Sequence, residues 1–276
     1  MKVAAIQMVS TPDVSTNLAA ARGLLQQAAD AGAELAVLPE YFCLLGLKDT
    51  DKLAIAEPIE SGPLQDFLSR CAVDFKLWVV GGTIPLAATA ASPATAATAG
   101  KVYNSTLVFD PQGQRVARYD KIHLFCFDNG TESYDESRVL TPGNTPVTFD
   151  LPSVDGHTWR VGLSICYDMR FPELYRALNA DLLLVPSAFT HTTGQAHWEL
   201  LLRARAIENL AYLAASAQGG LHANGRRTWG QSMVVDPWGQ ILAEQAEGPG
   251  VVLADMDKAK LFNARLQLPA LQHRVL

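Results

Sequence analysis

Short apolar blocks, punctuated by Gly, Pro and Asp, run through most of the chain, and their spacing switches between two periods. Residues 3–9 read as a strand. Residues 15–31 form an amphipathic, Ala-rich helix with Ser15 as N-cap and Gly32 just past its end. Residues 35–38 make a short buried strand, 64–75 a helix, and 77–83 a strand ending in Gly81-Gly82. Residues 102–109 and 115–119 pair as a hairpin about the turn Asp110-Pro111-Gln112-Gly113. An apolar run at 159–165 gives way at Phe171-Pro172-Glu173 to a helix that starts on Pro and carries an acid in its first turn. Residues 181–186 form another buried strand, and 196–209 a helix with Trp198, Leu201, Leu202, Arg205 and Asn209 on one face. Strands follow at 211–217, 232–235, 240–243 and 251–255, then a last helix at 258–266. Strands alternating with helices, then paired strands, predict an α/β layered fold without choosing its topology.

Composition narrows the picture. A chain of 276 residues, 49% hydrophobic, buries a large core as one α/β domain, with two domains open on length alone. Residues 86–100 are an Ala/Thr stretch with no charge and no large side chain after Leu86, read as a surface loop inside the domain. Residues 128–141 are acidic and turn-rich, read as a loop over the sheet edge, and 268–276 as a tail that crosses to a partner subunit. No apolar run approaches the roughly 18 residues of a membrane span. The first residues read as a strand rather than a signal peptide, so a cytoplasmic location is expected. Cys43, Cys71, Cys126 and Cys166 are scattered, which suits reduced thiols better than a disulfide framework or a zinc site. Net charge is −6 and no Lys/Arg stripe forms, which argues against nucleic acid as a partner.

Three residues carry the chemistry. Cys166 sits where a buried strand turns into a helix, and a nearby helix N-terminus favours thiolate over thiol. Glu40 follows the strand at 35–38, and Lys121 follows the strand at 115–119. Taken singly they are a small core residue, a solvated loop acid and a surface cation. Taken together they are complementary: the carboxylate takes the thiol proton, the thiolate attacks, and the ammonium stabilises the developing oxyanion.

Leu-Pro-Glu at 38–40, Tyr-Asp-Lys-Ile-His-Leu-Phe at 119–125 and Cys-Tyr-Asp-Met-Arg-Phe-Pro-Glu at 166–173 resemble the three signature segments of the nitrilase superfamily of carbon-nitrogen hydrolases. The likeness continues through 186–189, 196–201, 203–209 and 232–239, and leaves out mainly 86–100. It implies a four-layer αββα sandwich, paired into a homodimer or higher assembly, with no metal or organic cofactor. By position it implies Glu40 as general base, Lys121 as oxyanion-stabilising cation and Cys166 as nucleophile. Glu136 matches the second glutamate that holds the lysine, with Glu132 as the competing choice. The backbone N–H of Tyr167 is the second oxyanion donor.

The segments around Cys166 and Asp236-Pro237-Trp238-Gly239 resemble the branch that hydrolyses ω-amides of 2-oxo acids. The expected activity is amide hydrolysis through a Cys thioester with release of ammonia. Within that branch, the resemblance of residues 218–222 and 226–234 implies deaminated glutathione as substrate over 2-oxoglutaramate or 2-oxosuccinamate. Such anionic substrates need a cation and hydroxyl donors, and Arg170, Phe189 and Thr193 occupy the matching positions, with an Arg170–Glu173 ion pair as the structural reading of that arginine. His197 and Trp198 are expected to pack at a helix start. Gln195 stands where much of the branch has Pro. Two rivals make different demands: a papain-like hydrolase would pair Cys166 with His197, and a non-catalytic scaffold would need none of the three reactive groups.

Overall fold

A computed structural model describes residues 1–88 and 100–275. Among them, one seven-stranded sheet runs Gly250–Asp255, Lys2–Gln7, Leu35–Val37, Trp78–Val80, Val102–Phe109, Ile84–Ala87, with Arg115–Asp120 also paired to Val102–Phe109. A six-stranded sheet runs Ile241–Gln245, Ser232–Val235, Tyr212–Ala217, Leu182–Ser187, Thr158–Leu163, Thr148–Pro152. The central three strands of each sheet are parallel, so their carboxyl ends share an edge.

Alternation along the strands builds the layers, because successive side chains point to opposite faces. Val3, Ala5, Leu35, Val37, Val80 and Val108 of the first sheet enter the core between the sheets, against Val161, Leu163, Leu183, Val185, Leu213 and Ala215 of the second. The intervening Ala4, Ile6, Ala36, Leu38, Val79 and Leu107 pack under the helices Val14–Asp30 and Pro63–Phe75. Tyr175, Trp198, Leu202 and Ala206 bring Pro172–Leu178 and His191–Asn209 onto the outer face of the second sheet. The result is an αββα sandwich. Each buried aliphatic side chain contributes about 1.5–3 kcal/mol. That is how a strand of three residues such as Leu35–Val37 persists where local propensity alone would not hold it.

Several expectations need correction. The first helix is capped by Asp13, not Ser15: Asp13 accepts the Thr16 N–H at 2.7 Å, while the Ser15 hydroxyl donates to the same carboxylate. Leu86 and Ala87 belong to the strand Ile84–Ala87, paired with Val102–Phe109, and not to a loop; residues 89–99 of that stretch lie outside the described residues. The acidic segment carries a small hairpin, Cys126–Asp128 with Ser133–Asp135. The hairpin Gly219–Leu221 with Arg227–Trp229 has no clear period to announce it, whereas Thr148–Pro152 alternates, with Phe149 and Leu151 buried, and adds a strand that the sequence reading left out.

The helix expected at 196–209 begins at His191. Its first turn is poor in helix formers, but Gly194 lets it lie directly on Trp229, where a β-carbon would come within 2.4 Å of that side chain. Close packing overrides propensity there. Among the described residues no helix is long and apolar enough to cross a membrane, and no three His, Cys, Asp or Glu side chains cluster as metal ligands.

Candidate active site

The carboxyl edge of the first sheet delivers two charged groups. Glu40 follows Leu35–Val37 through Leu38-Pro39, and Lys121 follows Arg115–Asp120. Both side chains are buried and ion-paired: Lys121 Nζ donates to Glu40 Oε1 at 2.8 Å. The same ammonium reaches Glu136, at 3.0 Å to Oε1 and 2.9 Å to Oε2. Glu136 opens a 3₁₀ turn after the small hairpin and also accepts from the Tyr41 hydroxyl at 3.0 Å and the Phe125 N–H at 2.7 Å. Glu132, the competing choice, points elsewhere and accepts from the Thr192 hydroxyl at 3.1 Å.

Cys166 comes from the second sheet. It follows Thr158–Leu163 and opens the 3₁₀ turn Cys166–Arg170, with φ at 49°. A left-handed backbone at a non-Gly residue costs roughly 1–3 kcal/mol and persists only where its surroundings impose it. Asp168 imposes it: fully buried, it accepts from the Ile165 N–H, the Tyr119 hydroxyl, the His123 N–H and His123 Nδ1, all at 2.7–3.0 Å. The turn is pinned from below, and Cys166 is raised into a cavity.

That cavity has a free volume of about 20 Å³ and is lined by Cys166, Glu40, Lys121, Glu136, Tyr167 and Arg226, with Tyr41, Phe125, Ala188, Phe189, Thr190 and Thr193 completing its walls. Of the expected substrate contacts, Phe189 and Thr193 line it. Arg170 does not: its guanidinium turns onto His197 Nδ1 at 3.3 Å and lies over the rings of Tyr167 and Phe189. The expected Arg170–Glu173 pair is not formed. His197 is engaged by Arg170, and not by Cys166, which removes the geometric ground for a Cys–His pair. Trp198 is buried and donates to the Gln231 carbonyl at 2.8 Å.

Charge decides the resting state. Burial works against the Lys121 ammonium, but Glu136 and Glu40 outweigh it and hold the pKa well above its ordinary value. Burial likewise opposes the Glu136 carboxylate, and Lys121 overcomes it, so that carboxyl sits below the usual range. The Cys166 thiol is pushed well up, by burial first and then by Glu40, with Lys121 opposing. The expected help from a helix N-terminus is remote in sequence, since the α-helix starts only at Pro172, and burial beside two carboxylates works against a thiolate while Lys121 favours it. A protonated thiol needs a base.

Hydrogen-bond capacity shows which groups have room for a further partner. Glu40 Oε1 accepts from Lys121 and from Asn104 Nδ2 at 2.9 Å, and Oε2 from the Ala188 N–H at 2.9 Å. A carboxylate offers about four acceptor positions, so one stays open. An ammonium has three donors, of which Lys121 commits two directions to carboxylates, leaving one for the cavity. Tyr167 N–H occupies the second place of a 3₁₀ turn, where the turn itself supplies no acceptor. Asn104, Tyr41, the Ala188 amide and Arg226 escaped the sequence reading. Nothing local marks them, although Tyr41, next to Glu40, has the left-handed φ of 57° that sites tend to store.

The carbon-nitrogen hydrolase family profile matches residues 2–265. The deaminated glutathione amidase of Synechocystis sp. (strain PCC 6803 / GT-S) is 42% identical over 99% of this chain and 97% of its own length. Omega-amidase NIT2 of Homo sapiens is 38% identical over 99% of this chain and 94% of its own. The C. elegans NitFhit crystal structure superposes with a TM-score of 0.85 at 35% identity, covering 99% of this chain, which spans only 65% of that protein. Fold, whole-chain likeness and the convergence of strand ends on one cavity agree: the chain belongs to the carbon-nitrogen hydrolase family of the nitrilase superfamily.

Proposed function

We propose that the chain is an amidase acting on the amide of a small 2-oxo acid, with Cys166 as nucleophile and Glu40 as general base. The observation that carries this reading is the buried Lys121 ammonium bridging Glu40 and Glu136 in the cavity that Cys166 enters with a left-handed backbone. Glu40 accepts the thiol proton at its open position as sulfur attacks the amide carbonyl carbon. Lys121 Nζ and the Tyr167 N–H stabilise the oxyanion. The tetrahedral intermediate collapses, Glu40 returns the proton to the departing amine, and a thioester remains. Glu40 then takes a proton from water, hydroxide attacks the thioester, and the acid leaves as the thiol is restored. Glu136 holds Lys121 in place and faces the amide N–H. No cofactor enters these steps.

Deaminated glutathione is the favoured substrate, supported by relatives of that name up to 42% identical. In that molecule the acyl group is joined to a dipeptide, so the amine released is the dipeptide. Ammonia, the product expected from the sequence, leaves only from primary amides such as 2-oxoglutaramate. Phe189 and Thr193 are assigned to the acyl end, with Arg170 reaching it only by leaving His197. A cytoplasmic homodimer belongs to the same reading. Its support is the partly exposed Ile207 on the outer helix beside the Pro237-Trp238-Gly239 turn, where Trp238 is 57% exposed. Sedimentation tests the assembly.

The test of activity is amine release from deaminated glutathione and from 2-oxoglutaramate, with Cys166→Ala as control and intact-mass detection of the acyl-enzyme. Turnover of either, lost in Cys166→Ala, supports the reading. Cleavage of neither, with no acyl adduct on Cys166, would overturn it.

A further inference from the structure

Beside the catalytic cavity lies a second small pocket, and the two share Tyr41 and Arg226. Its wall carries Lys48, Lys52 and Arg226 against a single acid, Asp49. The cations are poorly neutralised. Arg226 reaches Asp49 only at 3.8 Å, and its guanidinium lies 4.9 Å over the Tyr134 ring. Lys52 Nζ sits 4.5 Å over the Tyr41 ring and 3.5 Å from its hydroxyl, with no carboxylate of the described residues paired to it. Burial accordingly holds the Lys52 ammonium below its ordinary pKa, with Glu136 and Asp49 only partly opposing.

Arg226 is not a loosely hung surface arginine. Its backbone N–H donates to Asn224 Oδ1 at 2.9 Å, and Asn224 Nδ2 donates to the Gly46 carbonyl at 2.7 Å, tying the hairpin turn to the loop that bears Lys48. Beneath it, buried His222 is held between the Ser10 carbonyl at 2.9 Å and the Thr228 hydroxyl at 2.8 Å. The backbone of Arg226 is therefore held in place, and its side chain lines both pockets.

We propose that Arg226, with Lys52 behind it and Lys48 at the rim, forms a carboxylate-binding subsite that receives the far end of the amide's leaving group. The proposal rests on the amidase reading above. On that reading Glu136 faces the leaving amide N–H; it accepts from Tyr41, and Tyr41 and Arg226 line both pockets, which gives a chain attached to that nitrogen a route past Tyr41 towards Arg226. Two extended residues span roughly 7 Å, enough to carry a C-terminal carboxylate from one pocket into its neighbour. There it meets a planar guanidinium able to bind it through two parallel N–H donors, displacing the long contact to Asp49. A primary amide leaves this subsite empty. Preference for a dipeptide amide over 2-oxoglutaramate is then located in a second pocket, away from the reacting atoms.

Three substrates with one acyl group separate the possibilities: 2-oxoglutaramate, deaminated glutathione, and the analogue of the latter with its terminal carboxylate converted to a carboxamide. The unaltered protein should favour the free carboxylate over the carboxamide by about tenfold in kcat/KM, mostly through KM, as a charge-assisted pair requires. Arg226→Ala should erase that ratio, and Arg226→Lys should restore part of it. Equal use of acid and carboxamide by the unaltered protein overturns the subsite. So does an equal loss on all three substrates in Arg226→Ala, which would put Arg226 at the acyl end. If no substrate is turned over, the amidase reading has failed. The subsite then stands or falls on calorimetric binding of free Cys-Gly dipeptide, which Arg226→Ala must abolish.

Discussion

Two carboxylates lie fully buried within the same sandwich, and they do opposite things. Asp168 accepts from four donors, and its acceptor capacity is used up. Glu40 accepts from three, and one position faces the cavity. Saturation makes Asp168 a fixed pin under the Cys166 turn, while the vacancy at Glu40 leaves a group that can take and return a proton. Burial alone does not separate a structural acid from a chemical one. The count of donors does.

The contrast breaks most sharply at Glu40. Replacing it by Gln should lower kcat/KM by about 10³- to 10⁴-fold, the upper part of the range for general-base catalysis, while urea unfolding shifts by only about 1–3 kcal/mol. The same change removes the nearest negative charge that pushes the thiol up. Iodoacetamide should then label Cys166 faster at a given pH even as turnover dies. In the unaltered protein that labelling should keep rising from pH 6 to pH 9 without a neutral plateau; a plateau would mean a resting thiolate.

At Asp168 the ledger inverts. Asp168→Asn puts an amide N–H against donors and should cost about 3 kcal/mol of stability. Its turnover loss, in protein that remains folded, should be well below that of Glu40→Gln. A thousandfold rate loss with intact stability would place both acids in the chemistry and erase the distinction. Asn104→Ala takes one of the donors from Glu40 and should cut kcat by about tenfold, through a misplaced carboxylate, with KM little changed.

The smallest effect is expected at Tyr41→Phe, which strips one hydrogen bond from Glu136, worth about 1 kcal/mol. Because the folded Glu136 carboxyl titrates below its unfolded value, its stabilising contribution is present above about pH 4.3 and is lost as pH falls through the folded pKa. Tyr41→Phe should weaken that dependence slightly, and Glu136→Gln should remove it. Unfolding free energies between pH 3 and pH 6 measure both.

What the sequence made legible follows from the same logic. Glu40, Lys121 and Cys166 each stand just past an apolar block, so a reader of hydrophobic period can place them at sheet ends before knowing the sheets. Glu136 was separable from Glu132 only by resemblance, since both lie in one acidic loop, and the structure puts Glu136 on Lys121. Asn104 was invisible because it sits mid-strand, in Val102–Phe109, where a polar residue reads as the solvent face; its partner arrives from another strand end. Arg226 was hidden in a glycine-flanked turn whose hairpin has no apolar alternation. The helix from which a thiolate is inferred begins at Pro172, six residues beyond Cys166, which itself opens a 3₁₀ turn. Local pattern finds groups that a strand end exposes, and misses those whose meaning comes from a neighbour far along the chain.

The backbone at Cys166 has a consequence for engineering. Its positive φ is the conformation glycine adopts without steric cost, so Cys166→Gly relieves strain that offsets the loss of a small buried side chain. That variant should melt no lower than the parent. A library of this protein ranked by heat resistance alone would therefore tolerate, and even enrich, an exchange that abolishes its proposed nucleophile.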